Sequence, residues 1–234
     1  MFDALKRMIG GSAAGSGDTD QVLAGWAKAE GHAFKRVKDK TGGGYVVEAS
    51  EGWRVEWGES QRPYIMGKEL RFRCDTGMPP DVQMVMVSKT LAQALESDVF
   101  SRFTHAMQTQ IDNSLPDEMR WLAMHQRVSL NASPGLARRF MLLSNADAVA
   151  TAWLDDEVLS ALDDAISVWW TDTLVLVLTL NRGILTMRTA GQPLELARLK
   201  LVGQLFARLA LRLRDQAREG KDATAAKANR AARS

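Results

Sequence analysis

The chain has 234 residues, 46% of them apolar and 25% charged, with 30 basic side chains against 28 acidic ones. That length fills one large core or two small ones, and a formal charge of +2 excludes a polycation that grips nucleic acid by charge alone. The single cysteine, Cys74, excludes an internal disulfide and a cysteine metal centre, and it fits a reducing compartment.

In chain order, residues 2–9 set Phe2, Leu5, Met8 and Ile9 on one side of an amphipathic turn, with Lys6 and Arg7 on another. The piece is too short and too charged for the apolar region of a signal peptide. Residues 174–178 form the longest apolar run, far below the roughly 18 residues that span a bilayer, so the expectation is a cytoplasmic, soluble protein. Residues 10–17, rich in Gly and Ser, read as a tether, and residues 1–17 together form the first segment. An amphipathic tag on a leash can dock on a membrane surface or in a partner's groove. The plainer expectation is a frayed terminus, because so short a piece forms no stable helix unaided.

Asp18 or Thr19 caps a helix through Glu30 with Val22, Leu23 and Trp26 on its apolar side, and Gly31 ends it. From Ala33 the period changes to two. Residues 42–44 turn the chain, Glu51-Gly52 is a tight turn, and Trp53, Val55 and Trp57 share one strand face opposite Arg54 and Glu56. Residues 69–75 set Leu70, Phe72 and Cys74 against Arg71 and Arg73, and residues 82–88 are apolar on both faces. The expectation is a meander of about five strands, antiparallel because the connections are short.

Residues 90–96 read as a helix, and 98–110 fit either period, with length favouring helix. Asn113 to Asp117 break the chain and divide it into halves, 18–112 and 113–215. In the second half, 118–130 read as a strand or an irregular helix, 131–135 as a loop and 138–144 as a strand. Asn145 then caps a helix through Trp153, and Asp155 and Asp156 suit the positive end of a helix over 157–165. Residues 85–101 and 141–160 each run apolar strand, Ser, helix, an echo that is either a duplication of one unit or, more simply, the shared grammar of strand-to-helix turns. Residues 173–180 carry no polar face and belong in the middle of a covered sheet; Asn181-Arg182-Gly183 turns them into a second strand, 184–189. Pro193 opens a long helix to Arg214, and residues 216–234 read as a disordered basic tail.

Chemistry-bearing patterns are sparse. His32, His105 and His125 are never at helical metal spacing, so no metal site or cofactor is assigned. The acids Asp155, Asp156, Glu157, Asp163 and Asp164 could serve acid/base work or a divalent cation, but capping and a solvated face explain them more simply. Cys74 alternates with apolar residues and reads as a buried, inert thiol. The basic run Lys35, Arg36, Lys38 and Lys40 near Trp53 and Trp57 resembles a single-stranded nucleic-acid platform in composition only, since alternation sends the tryptophans to the core. Nucleic acid is therefore set aside.

The long helix is more informative. Leu199, Val202, Phe206, Leu209 and Leu213 form one apolar stripe, enough to cover a sheet. Leu194, Leu201 and Leu205 form a second, flanked by Arg198, Arg208 and Arg212. Two stripes mean either a helix sandwiched in the core, the plainer reading, or a helix that also meets a partner; for the latter these six residues are the candidate self-association face. The expected fold is α+β, a mostly antiparallel sheet with packed helices, its two halves related only if the echo is a duplication. The expected role is a non-catalytic interaction or scaffold module that dimerises through this helix, its protein partners unidentified. A peripheral adaptor docking through Phe2, Leu5, Met8 and Ile9 is the alternative, and a metal-dependent or acid/base hydrolase comes third.

Overall fold

A computed structural model describes residues 16–39, 42–105, 116–171, 173–191 and 193–231. The expected docking segment, Phe2, Leu5, Met8 and Ile9, lies outside the described residues. Helix α1 (Ser16–Glu30) leads into strands β1 (Ala33–Asp39), β2 (Gly42–Glu48), β3 (Trp53–Glu59), β4 (Lys68–Asp75) and β5 (Met84–Ser88). Helices α2 (Lys89–His105) and α3 (Asp117–Met124) follow, then β6 (Gln126–Val128), α4 (Pro134–Arg139) and β7 (Phe140–Ser144). Helices α5 (Asp147–Trp153) and α6 (Asp156–Val168), the hairpin β8 (Leu176–Asn181) and β9 (Ile184–Ala190), and the long helix α7 (Leu196–Ala231) complete the chain.

All nine strands join one antiparallel sheet in the order β1-β2-β3-β4-β9-β8-β5-β7-β6, an α+β fold. The β8–β9 hairpin closes through Arg182 and Gly183, both at positive φ (51° and 74°), as a two-residue primed turn requires. A Cβ on Gly183 would lie 2.8 Å from the Met78 carbonyl oxygen, so position 183 admits only glycine. The same turn is anchored to the end of β4, because Thr76 donates both its N–H (2.9 Å) and its hydroxyl (2.7 Å) to the Gly183 carbonyl.

The interior position of β8 follows from its side chains. Leu176, Leu178 and Leu180 face one side of the sheet, where they meet Met84, Met86, Leu185 and Met187. Val175 and Val177 face the other side, with Val85, Val87, Met141 and Leu143. The first side is the larger core, covered by α1, α4, α5, α6 and α7. The second is roofed by α2 and α3 only over the β8–β5–β7 portion. Beyond that roof, β3, β4 and β9 present Arg54, Glu56, Glu69, Arg71, Arg73 and Arg188, the polar halves of their alternation.

Helix α7 buries Leu199, Val202, Phe206, Leu209 and Leu213, the stripe read from the sequence. Each such burial is worth roughly 1.5–3 kcal/mol, against about 0–1 for a surface ion pair such as Lys200–Glu30, so packing holds the helix down. Helix α1 crosses it antiparallel: Trp26 packs where Gly203 leaves space, 3.0 Å from where a Cβ would stand, and Glu30 meets Lys200.

Several expectations need correction. The meander stops at β4; β5 is separated from it by β9 and β8, which arrive from the far end of the chain. The two halves are consequently not separate sheets. Residues 90–96 and the start of the ambiguous segment form one helix, α2. Asn145 does not cap α5; its side chain accepts from Gln83 N–H (2.8 Å) and donates to the Asp81 carbonyl (2.7 Å), tying two loops, while Ala146 stands at the helix start. Residues 138 and 139 belong to α4, whose N-cap Ser133 accepts from Leu136 N–H and whose first position is Pro134. Helix α7 begins at Leu196 rather than at Pro193 and continues through the tail expected to be disordered, as far as Ala231.

Candidate functional site

Asp155 caps α6 by accepting from Val158 N–H at 2.9 Å, the capping role read from the sequence. That cap starts α6 so that Val158, Ala161, Leu162 and Ala165 face the core. The outward flank of α6 then runs antiparallel beside α7. A groove of about 430 Å³ lies between Asp156, Glu157 and Ser160 on α6 and Arg208, Leu211 and Asp215 on α7. A smaller one of about 150 Å³ shares Arg208 and passes Asp164 and Val168 to reach Leu201 and Gln204. Val168, Leu211 and Leu201 remain 69%, 56% and 38% exposed along this face.

The six residues of the expected face divide accordingly. Leu201 and Arg208 lie on the open groove. Leu205 is 4% exposed and Leu194 packs half-buried against the core, so a single chain already uses both. Arg198 is half-buried. Arg212 is engaged internally, paired with Asp155 at 2.5 Å and donating to the Ala152 carbonyl at 3.2 Å. Val168 and Leu211 were missed. A three-four count from Leu201 through Gln204 and Arg208 reaches Leu211, whereas Val168 sits on a different helix and no spacing within α7 could locate it.

The charge on this face is partly segregated. Asp156, Glu157 and Asp164 stand exposed along α6, and Arg208, with Arg198 and Arg212 behind it, along α7. The α6 wall of the groove is acidic, and the α7 wall is mixed, with Arg208 and Arg212 beside Asp215.

A second polar assembly occupies the unroofed sheet face. Glu69 is 2% exposed and bonded to Arg188 at 2.6 Å, with Arg71 at 3.4 Å. Arg71 also donates from Nε to Glu56 at 2.8 Å, and Arg54 meets the other oxygen of Glu56 at 2.9 Å. Burial opposes ionisation of Glu56, but the Arg71 hydrogen bond and charge, with Arg54 and Arg73 nearby, outweigh it and hold the carboxyl below its ordinary range. Next to this, Glu118 at the start of α3 takes Arg62 at 2.5 Å and the Tyr64 hydroxyl. Burial, then the charge of Glu118, pushes the Tyr64 phenol well above its usual value.

Among the described side chains, the remaining chemistry-bearing residues are absorbed structurally. His32 packs edge-on to Trp26 and Trp53, His105 lies in α2, and His125 stacks on Trp121 with Nε2 3.0 Å from Gln83 Oε1. Burial lowers the affinity of His125 for its proton. Asp163 accepts from the Ser133 hydroxyl at 2.5 Å, and Lys35 and Arg36 pair with Glu48 and Asp20. Cys74 is buried, and burial pushes its thiol up. Trp53 and Trp57 are core residues, as alternation indicated. Among the described residues no helix is long and apolar enough to cross a membrane.

No protein-family model and no curated protein matches the chain. Among solved structures it is similar to the mycobacterial trehalose monomycolate transport factor A, TtfA, at 9% identity and a TM-score of 0.49, over 84% of this chain and 94% of that one. That likeness is too low to assign a shared fold.

Proposed function

We propose that this protein is a binding module, acting by association rather than catalysis, that pairs with a second copy of itself across the α6–α7 face. The observation that carries this reading is the exposed series Val168, Leu201 and Leu211 in a groove that sets Arg208 against acids of α6. A two-fold interface apposes a patch to itself, so each residue meets the partner's other half. Under that operation Arg208 of one copy faces the α6 acids Asp156, Glu157 and Asp164 of the other. The apolar residues between them supply the area removed from water, and the charges set the register.

Sedimentation equilibrium of wild type against Leu201→Glu/Leu211→Glu tests the reading. Both positions are exposed in the single chain, so the double variant is expected to keep the wild-type melting temperature and to sediment as a monomer where wild type is a dimer. A wild type that stays monomeric at the highest soluble concentration, or a double variant that dimerises as wild type does, overturns it.

A further inference from the structure

We propose that the two-fold axis of this dimer runs along the α6–α7 groove, so that two copies close an antiparallel four-helix bundle in which Arg208 of each chain pairs with Asp164 of the other. This orientation rests on the dimer reading and adds to it the contact that selects one alignment of the copies over the alternative. Helices α6 and α7 are antiparallel, and the groove shows which of their residues are level. Glu157 and Ser160 lie beside Leu211 and Asp215, while Asp164 and Val168 lie beside Gln204 and Leu201. Arg208 borders both stretches.

A two-fold that brings a patch onto itself lies in the plane of that patch, so it runs either across the helices or along them. An axis across them stacks α6 on α6. Residues 156–168 hold four acids and no Lys or Arg, so that arrangement opposes acid to acid wherever the axis crosses. Like charges set against one another suppress an association. An axis along the groove instead lays α7 of one copy on α6 of the other and leaves every residue at its own level. Arg208 then reaches Asp164 of the other copy, and both residues are exposed in the single chain. Val168 (69% exposed) meets Leu201 (38%) of the other copy, and symmetry makes this contact twice. Leu211, on the groove itself, meets its own counterpart across the axis. Asp156 and Glu157 come level with Arg212 and Asp215 of the other copy, whose opposite charges offset, so the choice falls to Arg208 and Asp164. Each α7 is antiparallel to both of its α6 neighbours, as in an up-down-up-down bundle.

Charge reversal, read by sedimentation equilibrium of the full chain at fixed ionic strength, tests the orientation. Arg208→Asp and Asp164→Arg each set like charges at two symmetric contacts, and each is expected to weaken dimerisation at least about tenfold. Both positions are exposed, so the melting temperature is expected to stay at the wild-type value. The double variant Arg208→Asp/Asp164→Arg restores opposite charges between the copies and is expected to dimerise as wild type does. Leu211→Cys is expected to be joined to its counterpart by a short bis-maleimide, with buried Cys74 giving no product in wild type. Wild-type affinity in Arg208→Asp, a double variant as weak as the single ones, or a dimeric Leu211→Cys that does not cross-link overturns the orientation and leaves the dimer standing. A wild type that is monomeric throughout removes the dimer and the orientation together.

Discussion

At the scale of single residues, Glu118 shows how a sequence can conceal a structural charge. In Pro116-Asp117-Glu118-Met119 it reads as one of the acids that favour a first helical turn, and such acids are ordinarily solvated. Here it is 3% exposed, because the loop carrying Arg62 and Tyr64 folds over it from 54 positions earlier in the chain. No local pattern reports contact at that separation. Removing the carboxylate strands a guanidinium and a phenol away from water, and breaking a buried pair in this way costs about 3–5 kcal/mol. Arg62 retains 23% side-chain exposure, which places Glu118→Ala near the lower end, about 3 kcal/mol. Urea unfolding measures it: a midpoint unchanged from wild type would show that the pair does not hold the loop to α3, and Glu118→Gln, which keeps an acceptor for Tyr64, should fall between.

At the scale of elements, legibility tracked whether the deciding contacts were local. The both-sided apolarity of residues 173–180 announced an interior strand, and the Leu199–Leu213 stripe announced a helix lying on the sheet, since period alone carries that information. The helix ends did not follow so simply. Residues beyond Arg214 look like tail by composition, yet Ala, Lys, Arg and Gln are good helix formers, and a helix already nucleated and anchored extends through them at little cost even with Gly220 in the way. Helix α4 was missed for another reason: the Ser133-Pro134-Gly135 start signal has the same composition as a loop. Within α7 the anchor is Arg214, which donates to the carbonyls of Glu51 (2.5 Å), Gly52 (3.1 Å) and Asp75 (2.9 Å), clamping the β2–β3 turn and the end of β4. Truncation after Asp222 removes none of the buried residues of the helix's described side chains and is expected to leave the melting temperature within about 3 °C of wild type while lowering helical ellipticity. Truncation after Arg212 removes buried Leu213 and Ala217 together with the clamp, and loss of the leucine alone is worth about 2–5 kcal/mol, so this chain should fail to fold cooperatively. Indistinguishable melting curves for the two truncations would refute the anchor.

For the molecule as a whole, the decisive feature is the insertion of the β8–β9 hairpin between β4 and β5. The sequence divides readily near Asn113, and the echo between residues 85–101 and 141–160 invites a reading as two repeats. Burial assigns the matching helices opposite roles. Leu91, Ala92 and Leu95 of α2 pack into the smaller core, whereas Ala150 and Trp153 of α5 pack into the larger one. Nothing in either segment announces which side of a common sheet its helix will take, because both sides of β5 and β7 are apolar. The consequence is mutual dependence. Without the second half, β4 loses β9 on one edge and β5 loses β8 and β7 on both, and unpaired interior strands of this kind template aggregation. Without the first half, α7 has neither α1 nor the β3–β4 surface to cover, leaving Phe206 without Trp53 and Phe72. Chains comprising residues 1–111 and 112–234 are therefore expected to be insoluble or unfolded when produced singly, and to form one soluble complex when produced together. Loop closure between the halves is an entropic term that grows only slowly with length, so a single cut costs far less than the strand pairing restores on association. Either fragment unfolding alone in a cooperative transition would mean that half the sheet is a domain in its own right, and the interleaved pairing of β4 with β9 and β8 with β5 could not then be what holds the molecule together.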